Sequence, residues 1–136
     1  MNTVNNIGFT GTEKGMTERQ KNSLYFTLLL HIFGGKVAFH HGDCVGSDSE
    51  AHNIAHSLGY KIIIPPPHNS KKRAYCKGAD GVRFAKEYLQ RNHDIVDESD
   101  ILIACPAEQK EILRSGVWAT VRYARKKGKR VQVIYP

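Results

Sequence analysis

Apolar and polar positions follow two rhythms along the chain, and the switches between them mark out strands and helices. Ile7-Gly-Phe-Thr-Gly-Thr12 is a short stretch ending in small residues, the pattern of a strand entering a turn. From Thr17 the spacing becomes helical. Thr17-Glu-Arg-Gln20 has the capping-box form, and the helix runs to a Gly34-Gly35 stop. Leu24, Phe26, Leu28, Leu29, Leu30 and Phe33 supply it with a broad buried face. Lys36 to His41 reads as a second strand, closed by the turn Gly42 to Asp48. A second helix reaches Leu58, with Gly59 as its C-cap. Tyr60 to Ile64 is a third strand, ended by Pro65-Pro66-Pro67, and a long polar, basic loop continues to about Arg83. Tyr88 to Asp97 is helical. Ile101-Leu-Ile-Ala-Cys105 is fully apolar, as a central parallel strand covered on both faces must be. A last helix opens at Ser115-Gly116 and stops at Gly128, and Arg130 to Ile134 closes the series as a fifth strand.

Five strands alternating with helices predict an α/β fold with a parallel five-stranded sheet. The 136 residues suit one domain spanning 1–136. No apolar run approaches the roughly 20 residues of a membrane helix, so no membrane partner is expected. The polar start reads without a secretory signal. Cys44, Cys76 and Cys105 fit neither a disulfide framework nor a paired metal motif and point to a reducing cytoplasm. The formal charge of +7 is uneven: eight basic residues and one acid lie between Lys110 and Arg130, and the rest is neutral. Two readings of that segment stand level, a solvated helix face and an anion-binding surface.

Ligands of open parallel sheets sit at the carboxyl ends of the strands, where the order reverses. Three predicted loops there carry suitable residues: Gly11-Thr12, the turn from Gly42 through Asp43, Cys44, Gly46 and Ser47 to Asp48, and Ser115-Gly116 to Thr120. Glycines let a backbone approach a phosphate, and helix N-termini offer free N–H groups to it. Asp43 and Asp48 would repel phosphate and suit ribose hydroxyls or a base edge; for Asp48, capping its own helix is an equal alternative.

The stretch Leu89-Gln-Arg91-Asn92 to Ser99-Asp100-Ile-Leu-Ile resembles the RN-x-x-I…SD-x-L-I segment of the DNA-processing protein A (Smf) family. Ser115-Gly116…Thr120-Val-Arg122-Tyr-Ala124…Gly128…Val131 is similar to that family's SG-x-x-x-T-A-R-x-A…G-x-x-V. His41-Gly42…Gly46-Ser-Asp48…Ala51-His52 is similar to its glycine turn and helix. All three motifs also resemble the Lonely Guy phosphoribohydrolases and small bacterial and phage proteins of the same SLOG superfamily. The resemblance implies a single Rossmann-like three-layer domain with strand order 3-2-1-4-5. It implies a nucleotide-type ligand above the first and fourth strands, held by Gly11, Thr12, the Gly42–Asp48 turn, Arg91, and Ser115 to Thr120. It also implies oligomers, since superfamily members are commonly dimers or larger. The phosphoribohydrolases carry a glutamate three residues after the matched Thr120, where this chain has Tyr123. Tyr is a poor carboxylate substitute at neutral pH, which demotes N-glycoside hydrolysis.

Three functions follow in order: binding a nucleotide-derived small molecule as sensor, carrier or sequestering protein; hydrolysing a nucleoside monophosphate; and binding single-stranded DNA through the basic last helix. No cofactor is expected. His52 and His56 lie four apart on a helix but lack a third ligand, so no metal is expected. Cys44 at a helix start is a candidate low-pKa thiol with His41 as its base, against the plainer reading of a small turn residue. Trp118, Arg122 and Arg125 share a helix face that either stacks a base and binds phosphates or packs on a neighbour.

Overall fold

The computed structural model describes residues 5–33, 37–67 and 69–136. The predicted Gly34-Gly35 helix stop, the Lys36 start of the second strand and residues 1–4 lie outside them. The capping box at Thr17 forms as its residue types dictate: Thr17 Oγ1 accepts from the Gln20 amide at 3.1 Å, and Gln20 Oε1 accepts from the Thr17 amide at 3.0 Å. Gln20 is itself buried, and its Nε2 donates to the Pro106 and Ile134 carbonyls. One side chain thus caps α1 (Glu18–Ile32) and ties it to the far side of the sheet.

The strands are β1 (Asn6–Gly11), β2 (Ala38–His40), β3 (Lys61–Ile64), β4 (Gly81–Val82), β5 (Ile101–Cys105) and β6 (Arg130–Val133). All neighbours pair parallel, in the order β4-β3-β2-β1-β5-β6. The expected five-stranded sheet of order 3-2-1-4-5 is therefore corrected to six strands. The five expected strands keep their neighbours, and β4 adds an edge beside β3. Two residues are too few to show an alternating pattern, so β4 was invisible within a polar stretch. It is held by Asp80, whose carboxylate accepts from the Ile62 amide and whose own amide donates to the Ile62 carbonyl, both at 2.8 Å.

Helices α1 and α2 (Ser47–Ser57) cover one face, and α3 (Tyr88–Asp97) and α4 (Gly116–Lys126) cover the other. Every residue of β5 is buried, and its alternation feeds both cores: Ile101, Ile103 and Cys105 join Phe9, Leu24 and Phe39, while Leu102 and Ala104 join Val96, Trp118 and Val121.

The predicted broad buried face of α1 is also corrected. Only Gln20, Leu24 and Leu28 are buried, whereas Phe26, Leu30 and Phe33 are exposed. At about 100° per residue, the second group falls on the side of the helix away from the first.

Candidate functional site

Strand order reverses between β1 and β5, so the loops that follow them diverge and leave a crevice at the carboxyl edge. A cleft of about 270 Å³ opens there. Its lining combines Gly11, Thr12, Glu13 and Lys14 after β1, Ala107 and Glu108 after β5, Ser115, Gly116 and Val117 at the start of α4, and Tyr88. Ser115 is the N-cap of α4, its Oγ accepting from the Trp118 amide at 3.2 Å. The amides of Gly116 and Val117 belong to the first helical turn and have no intrahelical acceptor, so the cleft receives the positive end of the α4 dipole. A second compartment of about 550 Å³ adjoins it, lined by Pro67, Asn69, Lys72, Glu87 and Leu89 and sharing Glu13 and Tyr88 with the first. Glu13 is neutralised by Lys72 at 2.8 Å.

Beneath this surface the glycine turn after β2 closes on Arg91, a fully buried residue of α3. Arg91 Nη1 donates to the Gly42 carbonyl, and Nη2 reaches Cys44 Sγ at 3.4 Å. Its Nε is buried with no partner among the described residues, and the Tyr88 ring lies 4.9 Å from the guanidinium carbon. Asp48 Oδ2 accepts from the Cys44 amide at 3.1 Å. Burial pushes the Asp48 carboxyl up to about 6 from the ordinary 3.8, with Arg91 pulling the other way. Asp43 adopts a left-handed backbone conformation (φ 54°) and is fully buried. Burial raises its pKa, but the Cys76 amide at 2.9 Å and Arg73 Nε at 2.8 Å outweigh that and hold it below the usual carboxylate range.

His41, His52 and Cys76 bring three potential ligand atoms within 4.8 Å of one another. Both histidines are engaged in hydrogen bonds. The Asp43 amide donates to His41 Nδ1 at 3.0 Å, so the His41 proton sits on Nε2 and is given to His52 Nδ1 at 2.9 Å. His52 Nε2–H then donates to the Lys77 carbonyl at 2.6 Å. The Cys76 thiol is pushed up to about 12, by burial first and then by Asp43. His41 and His52 thus relay hydrogen bonds from the Asp43 amide to the Lys77 carbonyl and hold α2 to the loops. His56, the other half of the sequence pair, stacks on His52 with centroids 5.9 Å apart. The expectation of a low-pKa Cys44 is overturned: burial and the neighbouring Asp48 raise it.

Of the residues read as ligand-binding, Gly11, Thr12, Ser115 and Gly116 meet on the cleft. Gly42, Asp43, Gly46, Ser47, Asp48 and Arg91 lie in the layer that holds the loops. Ser47 Oγ donates to the Thr12 carbonyl at 2.6 Å, a Cβ on Gly46 would strike the Glu13 backbone, and one on Gly42 would strike Arg91. Thr120 joins α3 to α4, its Oγ1 accepting from Asn92 at 3.0 Å and donating to the Gly116 carbonyl at 2.8 Å. Tyr123 stacks on His93 at 3.7 Å and donates to Asp97 at 2.8 Å. Trp118 is buried within its own chain and donates to Glu108 at 3.1 Å, and Arg122 and Arg125 are engaged by Glu111. Sequence reasoning passed over Lys14 and Tyr88. Lys14 was within reach, two positions after a predicted loop; Tyr88 arrives from a distant element with no local signal.

No protein-family model matches the sequence, and no curated protein does. Solved structures do match. The molybdenum cofactor binding protein from the phototrophic bacterium Rippkaea orientalis superposes with a TM-score of 0.76 at 22% identity, covering 97% of this chain and 77% of that one. The Moco carrier protein from Chlamydomonas reinhardtii gives 0.71 at 22%, with the same coverages. DNA processing protein A from Streptococcus pneumoniae gives 0.67 at 17%, over 95% of this chain but only 50% of that one. At these identities the likeness is one of fold. The Rossmann-like α/β fold expected from the motifs is the fold of this chain.

Proposed function

We propose that the protein binds a small nucleotide-derived anion in the cleft between β1 and β5 and acts as a carrier, sensor or sequestering protein. The observation that carries this reading is the start of α4, where the uncommitted Gly116 and Val117 amides line a cleft that also holds Lys14. Two of the structures sharing the fold are molybdenum cofactor binding and carrier proteins, which supports carriage over turnover. The position of Tyr123, engaged with His93 and Asp97 on α3, also weighs against the Lonely Guy reaction.

Calorimetric titration with a nucleoside monophosphate, its parent nucleoside and inorganic phosphate tests the reading. The monophosphate should bind more tightly than the nucleoside, and Lys14→Glu should weaken it about tenfold, on the order of 1.4 kcal/mol. Equal affinity for monophosphate and nucleoside would remove the phosphate site. Base released during the titration would move the assignment to the hydrolase.

A further inference from the structure

We infer that the outward face of α1 is a docking surface for a second copy of this chain. Tyr25, Phe26, Leu30 and Phe33 are 39%, 62%, 74% and 80% exposed, on a helix whose opposite side already fills the core with Leu24 and Leu28. A helix that is apolar on both sides belongs between two packed surfaces, and the described residues supply one.

The size of the patch fits. At roughly 150–250 Å² for a whole aromatic side chain, the three aromatics alone present on the order of 300–450 Å². With Leu29 and Leu30 the patch reaches the top of the roughly 300–600 Å² range of the largest patches on monomers. Doubled by symmetry, it reaches about the 1,000 Å² that a specific interface requires.

The shape points to self-association. Tyr25, Leu29 and Phe33 form one ridge at four-residue spacing, and Asn22, Phe26 and Leu30 form the next. Ridges of this kind interdigitate with copies of themselves at about −50°, and a two-fold contact requires a patch complementary to itself. Charge agrees. Both ridges are uncharged, and the basic residues of α4 lie across the sheet from α1, so pairing through α1 keeps the two cationic faces apart. A lipid surface would call for a cationic collar, whereas the rim here mixes Glu18 with Arg19 and Lys21.

Light scattering coupled to gel filtration and sedimentation velocity on the full chain test this across the micromolar range. The expected mass is an even multiple of 15.3 kDa, halved by the pair Phe26→Glu and Leu30→Glu and unchanged by Leu113→Glu, at an exposed site away from α1. Circular dichroism checks that the variants fold; Leu30→Lys alone replaces the pair should it not. A wild-type chain that is monomeric throughout overturns the inference, and co-sedimentation of that monomer with phospholipid vesicles would assign the face to lipid instead. An oligomer that survives the α1 substitutions, or one that Leu113→Glu dissociates equally, also overturns it.

Discussion

Replacing Arg91 by methionine keeps much of the side-chain volume and removes the cation beside Asp48. The consequence follows from the protonation of that carboxyl. Its folded pKa, about 6, lies above the ordinary 3.8, so the native state binds the extra proton and this group's contribution to stability falls as pH rises from 3.8 to 6. At pH 7 the wild-type penalty is about 3 kcal/mol, at 1.36 kcal/mol per pH unit. Without Arg91 the Asp48 carboxyl is pushed higher still, and the most this can cost is folding with Asp48 neutral, about 4 kcal/mol at pH 7. The electrostatic loss is therefore capped near 1.4 kcal/mol, and it vanishes at pH 5, where both proteins fold with Asp48 protonated. The Gly42 carbonyl also loses its charged donor, which adds about 1.5–3 kcal/mol at either pH. Urea unfolding of both proteins at pH 7 and pH 5 should give a destabilisation of about 2–4 kcal/mol that is smaller in acid, by at most about 1.4 kcal/mol. An equal loss at both pH values would refute the reasoning, since Arg91 would then not be acting on Asp48.

Burial and His52 push His41 down to about 3, and burial with Arg83 pushes His40 down to about 4. Both unfolded rings protonate near 6.5, so stability falls with pH below that value, at about 1.4 kcal/mol per unit for each. Asp48 opposes one of them below pH 6, and His31, also lowered by burial, adds to the loss, leaving at least about 1.4 kcal/mol per unit down to pH 4; melts at pH 7, 6 and 5 that stay level would contradict this. Leu28→Ala should cost about 2–5 kcal/mol, whereas Leu30→Ala, at concentrations low enough to keep the chain monomeric, should stay within about 0.5 kcal/mol. Similar urea midpoints for the two would restore the single broad face. Ser115→Ala removes the α4 cap and should cost about 1 kcal/mol by the same assay; no measurable loss would mean the cap bond is unimportant.

What the sequence determined by itself is local. The capping box at Thr17, the helix from Tyr88 to Asp97, the buried run of β5 and the Ser115 cap depend on residues within a turn or strand of one another, so their signals survive in the linear pattern. That Gly11, Thr12, Ser115 and Gly116 would meet at the carboxyl edge was legible for the same reason, since strand ends and helix starts fix where loops must lie. Tertiary structure decided the rest. The Gly42–Asp48 turn was read as lining the pocket, and what it packs against came only with the fold: Arg91 reaches Gly42 from 49 positions away, and a Cβ on Gly46 would strike the Glu13 backbone. Likewise, which of α1's apolar residues face inward depends on how the helix is rolled onto the sheet. Gln20 fixes that roll by reaching Pro106 and Ile134, contacts between distant segments that no periodicity within α1 encodes.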